Sequence, residues 1–292
     1  MFDGLLLVVG GVVAGIFGSL LGLGGGTLIV PWLTLALGVP LIQAVGVSLV
    51  CVIVTSGAAA GVYLERHVAN LRLGMTLELF TAIGALAGGL VAFLLPERFV
   101  QLMFGGLLIW VSISMARRRE PARPAEPPTD ASAVAPAVAE DAADSTATIA
   151  VPEIVRTDPS FTERLSGPGY HVHRLGFGVV GSLFAGVVSA LLGIGGGTVK
   201  VPVMNVVMGV PLRVATATSN LMMGITASAG AIVYLVRGGI DPYIAGPTAI
   251  GVFLGASIGS RVAHRIHVSV LRGLFVAILL YTAWQMLQRA LT

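Results

Sequence analysis

Charge is what this chain has least of. Asp, Glu, Lys and Arg make up 11% of its 292 residues, against roughly 25% in a soluble domain. Such a chain cannot cover a globular surface with charge, so an ordinary soluble enzyme and overall disorder are both excluded. From Gly4 to Leu64 none of the four residue types occurs. Cysteine appears once, as Cys51, which excludes an internal disulfide and any cysteine-based zinc site. In its apolar surroundings Cys51 reads as a packing residue. The chain contains no His-Glu-x-x-His and no P-loop ending in Lys-Ser/Thr, so neither enzyme chemistry, a cofactor nor ATP-driven pumping is expected. The opening Met-Phe-Asp lacks the basic region of a cleavable signal, which predicts that the first helix stays in the mature protein.

What fills the chain instead is apolar. Hydrophobic residues make up 55% of it, and its mean hydropathy is +0.93. A helix needs about 20 apolar residues to cross a hydrocarbon layer of about 30 Å. Segments of that character fall at about 4–22, 41–64, 74–95 and 98–116, and again at about 175–193, 212–236, 243–262 and 268–289. Shorter ones lie at about 27–38 and 198–210. These predict an all-α polytopic membrane protein seated in a lipid bilayer. The net charge of +3 does not point to nucleic acid, because membrane proteins gather Arg and Lys on one side.

The two sets of segments are copies. A shift of 171 residues lays Gly15–Pro31 on Gly186–Pro202 with 10 of 17 positions identical. Without a gap the same shift pairs Pro40 with Pro211, Ser48 with Ser219, Tyr63 with Tyr234, Gly84 with Gly255 and Phe104 with Phe275. Between the copies, residues 117–174 turn to Arg, Pro, Ala, Glu, Asp, Ser and Thr, a composition that buries too little apolar surface to fold. The division is therefore a first membrane repeat (1–116), a flexible cytoplasmic linker (117–174) and a second membrane repeat (175–292).

Each repeat carries about five helical segments. The 12-residue segments 27–38 and 198–210 reach only about 18 Å at 1.5 Å per residue. If each forms a hairpin with the segment before it, re-entrant or fully spanning, every half crosses three times more and the halves are inverted. If the two make one broken crossing, the repeats are parallel. In the hairpin arrangement Arg66, Arg72, Arg117, Arg118, Arg119, Arg123, Arg174, Arg213, Arg261 and Arg265 gather on one side. Only Arg98, Arg237 and Arg289 lie opposite. The positive-inside rule then favours inverted repeats, with the linker cytoplasmic and both termini outside.

Glycine-rich backbone at membrane depth must face protein or a water-filled cavity. Gly24, Gly25 and Gly26, and their copies Gly195, Gly196 and Gly197, expose amides without a side chain in the way. The short helices starting at Thr27 and Thr198 turn positive dipole ends toward the same place, which suits an anion. Close packing alone is the competing explanation for these glycines. Lys200 breaks the repeat, standing where the first half has Ile29, and an ionisable residue inside a membrane suggests function. Gln43, Ser48, Ser219 and Asn220 could orient anionic oxygens or bond between helices; Asn205 is a weaker candidate of that kind. Glu78 could carry a proton, but a carboxylate reaching the interface is the expected reading; the five histidines read as solvated loop residues. Gly84-x-x-x-Gly88 and Gly255-x-x-x-Gly259 fit close contacts within the bundle or across a homodimer, and both options stand.

The doubled Leu-Leu-Gly-(Leu/Ile)-Gly-Gly-Gly-Thr-x-x-Val-Pro signature, at Leu20–Pro31 and Leu191–Pro202, resembles the TauE/SafE family of sulfite exporters. The resemblance covers about 4–116 and 175–289 but not the linker, whose length departs from shorter members and leaves a regulatory role open. It implies a bacterial inner-membrane secondary transporter for sulfite, organosulfonates such as sulfoacetate, or related small anions. The resulting expectation is a carrier exporting such an anion by alternating access. An anion channel of the same fold, or a membrane sensor with the linker as effector, are the alternatives.

Overall fold

A computed structural model describes residues 4–21, 24–65, 69–117, 172–262 and 268–291. Most of the 117–174 segment, together with His67, His171, His264 and His267, lies outside them. The described residues form helices and no strand. The first half comprises α1 (Gly4–Leu21), α2 (Gly26–Pro31), α3 (Leu41–Glu65), α4 (Leu71–Ala92) and α5 (Glu97–Arg117). The second half comprises α6 (Leu175–Leu192), α7 (Gly197–Pro202), α8 (Leu212–Val236), α9 (Pro242–Val262) and α10 (Val268–Leu291). Six of these helices, α3–α6, α8 and α9, are long and apolar enough to cross a membrane.

The short helices owe their length to proline. Pro31 and Pro202 lack an N–H, and their rings crowd the carbonyl four residues back. Each helix therefore widens at once into a π-helical turn, Trp32–Ala36 and Val203–Val207, where the bonding skips a residue. Gly26–Ala36 thus forms one arm of about 16 Å, half the hydrocarbon core.

Helix directions follow from which glycines touch what. Gly15 packs on Val252 and Ala256, and Gly255 and Gly259 pack on Val12 and Ile16, so α1 and α9 run parallel. A Cβ on Gly15 would stand 2.9 Å from the Ala256 nitrogen, so only glycine fits this seam. In the same way Gly84 packs on Leu183 and Val187, and Gly186 on Thr81 and Ala85, making α4 and α6 parallel. The small-xxx-small motifs therefore serve contacts inside the bundle. Gly74 against Met222 and Gly89 against Val233 set α4 parallel to α8. Ser56 bonded to Asn220 and Gly224, with Leu49 against Gly230, sets α3 antiparallel to α8. A tight turn at Arg237–Asp241, with Gly238 at φ +70°, reverses α8 into α9.

Taken together, α1, α3 and α9 point one way, and α6, α8 and α4 the other. Helices α1, α3 and α4 thus oppose their copies α6, α8 and α9. Because α1 and α3 run in the same sense, as do α6 and α8, the short arm between them must carry the chain back. Arg72 and Arg174 lie at one end of the bundle. Arg98 and Arg237 lie at the other, where the Arg237 guanidinium sits 5.9 Å from the Phe93 ring. Large apolar side chains such as Phe177, Phe184, Tyr243 and Trp284 face outward, as a lipid-facing surface requires.

Candidate substrate site

The two glycine loops meet end to end in the middle of the bundle. Gly24 and Gly25 have φ of +74°, and Gly195 and Gly196 of +75°, the left-handed region that glycine enters without strain. Each loop then opens a short helix in the same way. Leu28 and Ile29 N–H donate to Gly25 O at 3.0 and 3.2 Å, and Val199 and Lys200 N–H donate to Gly196 O at 3.2 and 2.9 Å. Gly24–Thr27 and Gly195–Thr198 are all buried. A Cβ on Gly26 would stand 3.1 Å from Ile194 Cα, so the loops are nearly in contact. Ser48 joins them: its Oγ donates to Gly193 O at 2.6 Å and lies 3.5 Å from Gly26 O.

One face of α3 and one of α8 line this meeting point. Ser48, Val52 and Thr55 recur as Ser219, Met223 and Thr226, an i, i+4, i+7 stripe on each helix. Met223 Sδ would be 3.4 Å from a Cβ on Gly24 and equally 3.4 Å from one on Gly195. Val52 touches both loops as well. The Thr55 hydroxyl donates to Gly24 O at 3.1 Å. Val52 and Met223, themselves repeat partners, therefore close the centre between the loops.

Beside the second loop lies an ion pair. Lys200 on α7 donates through Nζ to the Glu78 carboxylate on α4 and, at 2.8 Å, to Thr226 Oγ1 on α8. Thr226 donates to the other Glu78 oxygen. All three are buried. Glu78 does not reach the interface: α4 starts at Leu71, so the carboxylate sits two helical turns in, facing α7 and α8. A carboxylate withdrawn from water on this scale needs a partner, and Lys200 supplies it.

Comparison with known proteins bears directly on this architecture. The family description "Sulfite exporter TauE/SafE" matches residues 7–286. The chain belongs to the TauE/SafE family. It is 26% identical over 267 residues to the probable membrane transporter protein YunE of Bacillus subtilis (strain 168), covering 89% of this chain and 88% of that protein. It is likewise 26% identical over 294 residues to the probable membrane transporter protein MamO of Paramagnetospirillum magneticum (strain ATCC 700264 / AMB-1), covering 96% of this chain and 44% of that protein. No solved structure matches. This TauE/SafE protein is thus a multi-pass membrane transporter.

Within this TauE/SafE chain, the residues singled out from sequence fall into two groups. Gly24–Gly26, Thr27, Ser48, Gly195–Gly197, Thr198 and Ser219 gather around the loop contact, and Lys200 stands one turn beyond. Gln43 does not join them: at 100° per residue it lies on the face of α3 opposite Val45, Ser48 and Val52, and it is half-buried. Asn220 is buried and its carbonyl accepts from Ser56 at 2.8 Å. Asn205 donates to Val210 O at 2.9 Å, a local bond within its own loop. His173 is exposed. Cys51 is buried in the core.

Unpartnered hydroxyls stand on α6, α7 and α8. Ser189, Thr198 and Ser219 are buried and make no hydrogen bond. Ser189 Oγ would be 3.5 Å from a Cβ on Gly196. Buried hydroxyls without partners are uncommon in proteins and mark places where something else can bind. The sequence reading missed Ser189, Thr226 and Thr55, although the seven-residue step from each repeat serine to a threonine was visible. A groove of about 470 Å³ between α1, α2 and α10, walled by Phe17, Trp32 and Tyr281, is apolar; its lining includes neither glycine loop nor the ion pair.

Proposed function

We propose that this transporter is an inverted-repeat carrier in the bacterial inner membrane that exports sulfite or an organosulfonate such as sulfoacetate by alternating access. The supporting observation is the contact of the two glycine loops through Ser48 and Gly193, in a centre sealed by Val52 and Met223. A seat formed by two oppositely directed hairpins opens to one side when one half rocks against the other. The substrate's oxygens would be taken up by the loop amides of Gly24–Thr27 and Gly195–Thr198, with Ser48, Ser219 and Asn220 around them. The unpartnered hydroxyls of Ser189 and Thr198 favour the second loop, and Lys200 supplies the charge.

In this reading repeats 1–116 and 175–292 are joined by a cytoplasmic linker at 117–174. The gathering of Arg72 and Arg174 at one end of the bundle is consistent with that orientation. The closed centre favours a carrier over a channel, which would need a continuous path.

The test is flux of labelled sulfite and sulfoacetate in proteoliposomes, wild type beside Lys200→Ala. Saturable, counterflow-competent flux that collapses in the variant is expected. Flux that survives unchanged removes Lys200 from the site, and no flux of either anion from folded protein removes this substrate class.

A further inference from the structure

Lys200 is not a free cation, and this has consequences for how an anion could use it. Its ammonium is already held by Glu78 and Thr226, and the three residues are bonded to one another in a closed triangle. An anion arriving at Lys200 would bring a second negative charge beside the Glu78 carboxylate in a medium of low dielectric. Two like charges that close cannot both remain ionised without a large cost. One change at this place removes the conflict without moving a helix: the carboxylate accepts a proton.

Among the described residues the surroundings supply no other group to do it. Of the helices packed on α4, α6 carries no titratable residue from Leu175 to Leu192. Along α8 the titratable or charged side chains are Arg213, in its first turn, and Tyr234, whose hydroxyl donates to Ala190 O at 3.0 Å. The short α7 contributes Lys200 alone. On α4 itself the nearest charge is Arg72, exposed and six residues away. Glu78 therefore answers to Lys200, to Thr226 and to whatever enters beside them.

We propose that Glu78 is the proton-binding site of the transport cycle, and that anion and proton bind together. In the empty carrier the carboxylate occupies Lys200. When Glu78 takes up a proton, Lys200 loses its internal counterion and the entering anion replaces it; release of the anion lets the proton leave and the pair re-form. Each anion is then accompanied by one proton, so an acid-outside gradient opposes export, and the anion's own outward gradient must drive it. The proton is taken from and returned to water, and no bond other than O–H is made or broken. Thr226, donating to the carboxylate and accepting from Lys200, orients both groups in the empty state. This inference rests on the anion-carrier reading above and adds the coupled ion to it.

The repeat copy of the site lacks every charged part. Ile29 stands for Lys200 and Ala249 for Glu78, while Thr55, the copy of Thr226, donates to Gly24 O. The cycle therefore has one proton site per chain and not two.

The experiment uses the full chain in proteoliposomes with the membrane potential clamped at zero, and labelled sulfoacetate as the probe, because its sulfonate stays ionised. In wild type, an imposed gradient of about one pH unit drives sulfoacetate toward the alkaline side, with accumulation on the order of tenfold. Apparent sulfoacetate affinity rises as pH falls. In Glu78→Gln, which imitates the protonated carboxyl, the gradient drives no accumulation and the affinity becomes insensitive to pH. Saturable wild-type flux that ignores the pH gradient overturns the proton site and leaves the anion carrier standing. Gradient-driven accumulation that persists in Glu78→Gln also overturns it. Absence of saturable flux for both sulfite and sulfoacetate in wild type overturns the carrier reading and this one together. The wild-type gradient measurement needs no variant, so the proposal is decided even where Glu78→Gln fails to fold.

Discussion

The two hairpins have the same backbone and different chemistry. Their glycines share left-handed φ values, their short helices begin with matching bonds, and each ends in a proline that opens a π-turn. At the first hairpin the Ser48 and Thr55 hydroxyls are committed, Ser48 to Gly193 O and Thr55 to Gly24 O. At the second, the Ser189 and Thr198 hydroxyls have no partner, and Thr226 has turned to the Lys200–Glu78 pair, which has no copy at Ile29 and Ala249. The two hairpins thus share a backbone geometry, while the buried charges stand beside the second alone.

The contrast can be broken most severely at Lys200. Lys200→Ala leaves Glu78 buried without a counterion and is expected to destabilise the fold by about 3–5 kcal/mol, read as a loss of thermal stability in detergent together with loss of transport. Replacing the pair with its repeat counterparts, Glu78→Ala with Lys200→Ile, sharpens the point. The double variant should recover most of that stability, because neither charge is left alone, while transport stays absent. If it transports, the asymmetry between the hairpins is not functional.

The next effect in size tests what the halves share. Gly15→Ala and Gly186→Ala each place a methyl against the backbone of a parallel helix, at Val252 and Thr81. Both should cost about 1–3 kcal/mol, and by similar amounts in thermal unfolding. A large difference between them would show that the two seams are not equivalent. Smallest is the serine comparison. Ser48→Ala strips Gly193 O of its donor and should cost about 1–2 kcal/mol. Ser219→Ala removes no bond, so its stability should be nearly unchanged, with the loss appearing in the KM for the anion.

Much of this frame was legible in the residues themselves. The 171-residue shift, the shortness of the proline-ended segments and the doubled glycines follow from local rules, and so they appear where the sequence places them. The ion pair was not legible for a physical reason. Glu78 and Lys200 are 122 positions apart, and they meet only because α4 packs parallel to α8, a contact between halves that no local period encodes. Gln43 misled for the opposite reason. Its position in the chain, close to Ser48, suggested proximity, but half a turn of helix aims it elsewhere. Both corrections come from direction, which a list of polar residues does not contain.

The glycine seams also bear on how the protein is made. Gly11 and Gly15 of α1 are complementary to Thr248–Ala256 of α9, so α1 meets this partner only after α2 to α8 have followed it out of the ribosome. At about 5–20 residues per second, that interval is roughly 10–50 s. Throughout it the bare glycine face of α1, and soon that of α4, stands in lipid or in the insertion machinery with nothing to fill it. Assembly of the bundle is therefore a late event, in which two inserted but unpacked halves close on one another, and a chain truncated before α9 has no finished part to leave behind.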